Sequence, residues 1–218
     1  MEDKYIPSWL RQTTKEKELL EMSIAGWGDW QPKRDRVASK TLKSLKSDYK
    51  KLTDIEFDGI SFELYKHKDK EWYLLGKIND LKLDDISFEV IFKIEFSKRP
   101  DITRMFSIYK NTVNVDGVMT REDMRGSKIG RFMYQYFVNK LDYTLLSDEI
   151  QYHKARLLWA RLSKLDTVIV DIINLDKEVI VEKNITVHHG ELDHEFDPRV
   201  WDYSDIKKNI RLVLTSVK

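Results

Sequence analysis

The sequence predicts an α/β protein with a mixed, mostly antiparallel central sheet flanked by helices, and three observations carry that expectation. Between residues 57 and 119 apolar residues recur at every second position, the period of a half-buried strand. From Ile129 the apolar spacing lengthens to three and four, the period of an amphipathic helix, and strand-like and helix-like runs then alternate. The final segment, Asn209–Val217, returns to period two through Ile210, Leu212 and Leu214. N-terminal helices, a strand meander, then strand–helix–strand–helix–strands is an α/β element order.

Taken in order, residues 14–24 read as a helix, with Thr14 able to cap it and Glu16 in a first turn where the helix dipole favours negative charge. Residues 39–52 read as a clearer one. Ala38, Leu42, Leu45, Tyr49 and Leu52 share one face, and Lys40, Lys43, Lys46, Lys50 and Lys51 form a basic stripe on the other. The meander is written in Phe62 and Leu64, Trp72 and Leu74, and the run Phe88, Val90, Phe92, Ile94, Phe96. Met105–Met119 holds at least one more strand, with Asp116-Gly117 marking a bulge or turn. Ile129, Phe132, Met133, Tyr136, Phe137 and Leu141 fit one helix, and Ala155, Leu158, Trp159, Leu162 and Leu165 another, with the short strand Tyr143–Leu146 between them. Val168–Ile173 and Val179–Val181 follow as strands joined near Asn174–Lys177.

With 218 residues the chain is long enough for one sizeable core. It has no internal repeat, and 8 Gly and 4 Pro mark no flexible boundary, so a single domain is expected. Its parts are an N-terminal helical segment (1–52), the meander (57–119), a core (120–182) and C-terminal strands and loop (183–218). A net charge of +1 argues against bulk attraction to nucleic acid while leaving room for a local patch. The absence of cysteine removes disulfides, thiolate nucleophiles and cysteine zinc sites. No apolar run approaches the roughly 20 residues that span a bilayer. The polar start lacks a signal-peptide core, so a cytoplasmic protein is expected.

The chemistry-bearing stretch is Glu122-Asp-Met-Arg125-Gly126-Ser127-Lys128-Ile129-Gly130-Arg131, between a strand and an amphipathic helix. A turn there exposes backbone N–H groups, and a helix N-terminus adds a dipole that favours anions. Gly126 and Gly130 permit close backbone approach, and Arg125, Lys128 and Arg131 add positive charge. A pyrophosphate suits such a turn; an ordinary strand–helix turn with solvated basic residues also accounts for the spacing. The P-loop pattern fails because Gly126 and Gly130 are too close and no Lys follows the second, and the dinucleotide pattern Gly-x-Gly-x-x-Gly is absent.

Arg125-Gly-Ser-Lys-Ile-Gly130 resembles the acyl-CoA signature of the GNAT superfamily of N-acyltransferases, Arg/Gln-x-x-Gly-x-Gly/Ala. It matches at Arg125 and Gly130, whereas Lys128 stands at the usual middle glycine. The amides survive that exchange provided Lys128 adopts an ordinary backbone conformation. The resemblance covers Val113–Val181 and has the flavour of GNAT-like proteins of bacteriophages, from Ser147-Asp-Glu-Ile-Gln-Tyr-His153 and Leu158-Trp-Ala-Arg-Leu162. It implies a GNAT-like fold, acetyl-CoA as cosubstrate, and a cofactor site of Met119, Arg125, Gly126, Ser127, Lys128, Ile129, Gly130 and Arg131. It also implies that Tyr143–Leu146 splays from its neighbour to admit the pantetheine arm. The departure is Trp159, which stands where many members carry a tyrosine that protonates the departing thiolate. An indole N–H cannot act as that acid.

Ser147, Asp148, Glu149, Tyr152 and His153 cluster in the region that the resemblance turns toward the reacting carbonyl. Asp148 or His153 are candidates to take a proton from an amine acceptor, and Tyr152 to give one; helix capping by Ser147 or Asp148 is the alternative. His188–Glu195 gathers metal-type side chains without a standard zinc spacing and reads as a polar loop. Trp27 and Trp30 read as packing for the N-terminal helix. The expected function is acyl transfer from acetyl-CoA to an amine by direct attack in a ternary complex. The alternatives are a GNAT-like phage nucleic-acid-modifying or anti-restriction protein, touching nucleic acid through Lys40, Lys43, Lys46 and Lys50, and a non-catalytic CoA-binding module.

Overall fold

The computed structural model describes residues 39–79, 87–148, 153–185 and 209–217. They form one ten-stranded sheet: β1 (Ser39–Thr41), β2 (Tyr49–Phe57), β3 (Ile60–His67), β4 (Glu71–Asn79), β5 (Ser87–Lys98), β6 (Thr112–Thr120), β7 (Thr144–Leu146), β8 (Val168–Asn174), β9 (Val179–Glu182) and β10 (Ile210–Ser216). Four α-helices accompany it: α1 (Leu42–Asp48), α2 (Pro100–Met105), α3 (Ile129–Asn139) and α4 (His153–Leu162). The spatial order is β2-β3-β4-β5-β6-β7-β10-β8-β9, with β1 paired to β5 off that path. Only β6 and β7 run parallel, joined by the α3 crossover; every other pairing is antiparallel. No helix among the described residues is long and apolar enough to cross a membrane.

Period-two alternation divides the core between the two faces. Leu145, Ile172, Leu212 and Leu214 join Met133, Phe137 and Trp159 under α3 and α4. Their chain neighbours Leu146, Ile173 and Val213 join Ile102 and Phe106 on the opposite face. Leu45, Tyr49, Tyr65, Leu74, Phe88 and Val90 seat α1. Burial on both faces is the reason Val168-Ile-Val-Asp-Ile-Ile173 reads as a continuous apolar run with one polar break.

Three expectations need correction. The helix expected over 39–52 is only α1; Ser39–Thr41 before it and Tyr49 onward are strand. Tyr49 pairs with His67, and the Lys68 ammonium donates to the carbonyls of Lys46 (2.9 Å) and Ser47 (2.5 Å), satisfying the helix end there. The basic stripe is therefore not one helix face: Lys40 lies in β1, Lys43 and Lys46 on α1, and Lys50 in β2. The run Phe88–Phe96 does not hold one face either. A bulge at Ile91, opposite Leu75 and Gly76, shifts the register, so Phe88 and Val90 face α1 while Ile91, Phe92, Ile94 and Phe96 enter the α3–α4 core. Gly76 permits this bulge, since a Cβ there would stand 2.1 Å from the Glu89 carbonyl oxygen. Finally, Pro100–Met105 is a helix that period-two reading passed over, its Pro at the first turn where no N–H is needed.

The elements from Ile129 onward fall within three residues of expectation, α4 ending at Leu162 instead of Leu165, and Asp116 is the extra residue of a bulge in β6. Residues 14–24, the Trp27–Trp30 pair and His188–Glu195 lie outside the described residues.

Candidate functional site

The parallel pairing of β6 and β7 covers three residue pairs, Thr112–Thr144, Val113–Leu145 and Asn114–Leu146. The two chains then part. After Leu146 the backbone stays with β10: Ser147 N–H donates to Leu212 O (2.9 Å), and Leu212 N–H donates to Ser147 Oγ (3.0 Å). β6 continues through Val115–Thr120 paired with β5, with no strand on its β7 side among the described residues. This opening lies at the carboxyl ends of two parallel strands, the place where open α/β sheets take ligands.

The turn that leads into α3 borders the same end. A 3-10 turn, Glu122–Met124, is closed by Arg125 N–H to Glu122 O (3.1 Å). Ser127 then fixes the loop, its Oγ and N–H both donating to Met124 O (2.7 and 3.3 Å) and its Oγ accepting from Ile129 N–H (3.4 Å). The amides of Gly126, Lys128, Gly130 and Arg131 have no hydrogen-bond acceptor among the described residues. A Cβ on Gly126 or Gly130 would meet nothing within 4 Å, so both glycines look onto open space. Gly126 sits at φ +84, which favours glycine.

Lys128 departs from the conformation expected of it. Its φ of 71 and ψ of 5 are left-handed, without a side-chain cap. A lysine therefore holds the conformation that a glycine adopts without strain. Arg125 reaches Glu122 at 3.3 Å from an exposed position, and Arg121 pairs with Glu89 and Asp123, so the turn carries acidic as well as basic groups. Met119 pairs with Lys93, on the face where Lys93 and Leu74 lie, so its side chain points away from α3 and only its backbone borders the opening.

The expected proton-transfer residues are placed unevenly. Ser147 is fully buried and engaged in the β10 ladder, which removes it both as a cap and as a reactive group. Asp148 is half-buried just past the end of β7. His153 opens α4, while Glu149 and Tyr152 lie outside the described residues. Trp159 belongs to the core, 3% exposed, with its ring edge-on to Tyr134 at 5.9 Å. Tyr134 is the residue that periodicity missed: its position next to Met133 fits the apolar face of α3 only once α4 covers that side. Burial first, and the nearby Asp148 carboxylate second, push its phenol well above the usual tyrosine range.

Compared with protein-family models, with curated proteins and with solved structures, the chain matches none.

Proposed function

We propose that the chain is an acyl-CoA-dependent N-acyltransferase of GNAT type, with acetyl-CoA as cosubstrate. The observation that carries this reading is the parting of β6 and β7 beside a turn that leaves four amides unused. The pyrophosphate of CoA meets the N–H groups of Gly126, Gly130 and Arg131 at the positive end of α3. The pantetheine arm enters between the parted strands, where the edge of Val115–Thr120, unpaired on that side among the described residues, offers backbone groups to its amides.

In the reaction the acceptor nitrogen attacks the thioester carbon. A C–N bond forms, the C–S bond breaks, the nitrogen loses a proton and the thiolate leaves, with no protein nucleophile. Holding both reactants supplies most of the acceleration. Asp148 stands at the open end of β7, where a carboxylate can accept the amine proton, and the sequence offers Tyr152 and His153 as further candidates. The lysines expected to touch nucleic acid are divided among β1, α1 and β2.

Calorimetric titration with acetyl-CoA tests the proposal. Gly130→Glu places a carboxylate in open space where phosphate is expected, and Glu is a better helix former than Gly. The variant should melt no lower than wild type and bind at least about a hundredfold more weakly, since juxtaposed like charges cost several kcal/mol. Equal affinity in both proteins would remove the site from this turn.

A further inference from the structure

A row of half-buried aromatic rings begins where the turn before α3 ends. Phe132, in the first turn of α3, has its ring centroid 5.0 Å from that of Phe57 and 6.4 Å from that of Tyr136. All three rings pack against the α3–α4 core on one side and are part-exposed on the other. Ile60 stands opposite Phe57 in the β2–β3 ladder, on the same face, and is 46% exposed. A single apolar side chain at the rim of a core is ordinary. Three rings in a row, continuous with an exposed isoleucine, form a patch.

Geometry puts this patch beside the turn. Side chains on a helix lean toward its N-terminus, so the Phe132 ring covers the turn of helix before its own Cα. That turn is closed by Phe132 N–H donating to Lys128 O at 3.0 Å. The antiparallel pairings from β2 through β6 place Phe57, the last residue of β2, at the same end of the sheet as Thr120. From Thr120 the chain passes directly into the 3-10 turn. Here the amides of Gly126, Gly130 and Arg131 have no acceptor among the described residues, and Arg125 and Arg131 add positive charge. An apolar peptide or a lipid chain would leave those amides and cations unused. A ligand that joins phosphates to a planar base uses both: the charge and the amides fit the phosphates, and the ring faces fit the base.

Resting on the acyl-CoA reading, we propose that the adenine of the bound acyl-CoA stacks on the Phe132 ring, in the row that Phe57 and Tyr136 extend. Phe132 is then a specificity-determining residue for the nucleotide end of the cosubstrate, away from the reacting carbonyl. Its contact is the same in the ground state and the transition state, so it acts on KM and leaves kcat alone.

The experiment measures binding of three probes to wild type and to Phe132→Leu, which keeps apolar bulk against the core and removes the ring face. The probes are acetyl-CoA, acetylphosphopantetheine, which lacks the nucleotide, and the adenosine bisphosphate portion of CoA, which lacks the arm. In the variant, acetyl-CoA and adenosine bisphosphate should bind at least about fivefold more weakly, the worth of one base–aromatic stack. Acetylphosphopantetheine affinity should be unchanged, which also reports an intact fold. KM for acetyl-CoA should rise with kcat unchanged. If all three probes weaken alike, or none does, Phe132 is a packing residue and the proposal fails. If wild type binds acetylphosphopantetheine but not adenosine bisphosphate, the acyl-CoA reading holds and the proposal fails. If adenosine bisphosphate binds through Phe132 but the acetylated arm adds no affinity, the stacking site holds and the acyl-CoA reading fails, so the two failures are told apart.

Discussion

The two ends of α3 are built on opposite terms. At its C-terminal end the polar groups are consumed. Lys140 and Leu141 N–H donate to Tyr136 O, and Tyr143 N–H donates to Phe137 O at 3.1 Å. The Tyr143 hydroxyl donates to Glu71 at 2.9 Å and lies 2.7 Å from the Tyr73 hydroxyl, which itself reaches Glu71 at 3.2 Å. Lys66 and Lys98 approach the same carboxylate at 2.7 and 3.2 Å, above an edge-on cluster of Tyr73, Phe96, Phe137 and Tyr143. At the N-terminal end the amides of Gly126, Lys128, Gly130 and Arg131 have no acceptor among the described residues, and two glycines face open space. Both ends hold a left-handed residue, Asp142 at φ 54 and Lys128 at φ 71, so what separates them is the backbone amides, consumed at one end and without an acceptor among the described residues at the other.

The largest expected effect separates the ends by stability. Burial alone would raise the Glu71 pKa, but hydrogen bonds from Lys66, Tyr143 and Lys98 outweigh it and hold the carboxyl at about 2, against an ordinary 4.5. The folded value is the lower one, so this contribution is fully present above pH 4.5 and is lost as pH falls from 4.5 toward 2. Glu71→Gln should cost about 2 kcal/mol at neutral pH in urea denaturation and flatten the acid limb of the stability curve. Acetyl-CoA affinity should stay within twofold of wild type. Weakened binding by this variant would mean that the closed end also serves the ligand, and the contrast would break.

Between the ends, Trp159 tests where packing stops and chemistry begins. Its indole is core, so Trp159→Phe should lower stability by about 1–3 kcal/mol. Initial rates at saturating acetyl-CoA should keep most of their value, since indole donates no proton at neutral pH. A folded variant that binds acetyl-CoA but has no activity would give Trp159 a positioning role.

The contrast between the ends also explains what the sequence made legible. Helix α3 was readable because its period runs unbroken, and β8 because its apolar run is as short as a buried strand. Bulges defeated the same reasoning: a single extra residue at Ile91 exchanges faces without altering the alternation in the sequence, and only the pairing with Leu75 and Gly76 exposes it. The 39–52 stretch failed for a related reason. Leu42, Leu45, Tyr49 and Leu52 have helical spacing, but Tyr49 and Leu52 belong to a strand tied to β3 through the two-residue Asp58-Gly59 hairpin, whose φ values of 52 and 71 are those such a turn requires. That dipeptide was the available signal. At the site, the glycine pattern located the turn. The parting of β6 and β7 and the burial of Tyr134 are tertiary facts that no single segment records.

The smallest effect expected is also the most specific to the open end. Lys128 at φ 71 carries the cost of a side chain in the left-handed region, about 1–2 kcal/mol, and glycine there gives back part of it through the freedom it loses on folding. Lys128→Gly should therefore raise stability by about 0.5–1 kcal/mol. Lys128→Ala keeps the Cβ and the strain and should give no such gain. Both variants remove one exposed charge, so both should weaken acetyl-CoA binding by a similar small factor, below about fivefold. The pair thus separates backbone from charge: a stability difference without an affinity difference places the strain in the turn and the binding in its amides. If Gly and Ala prove equally stable, the left-handed lysine costs nothing. The open end would then owe its shape to sequence preference alone, and its unused amides would be the one feature left to distinguish it from the closed end.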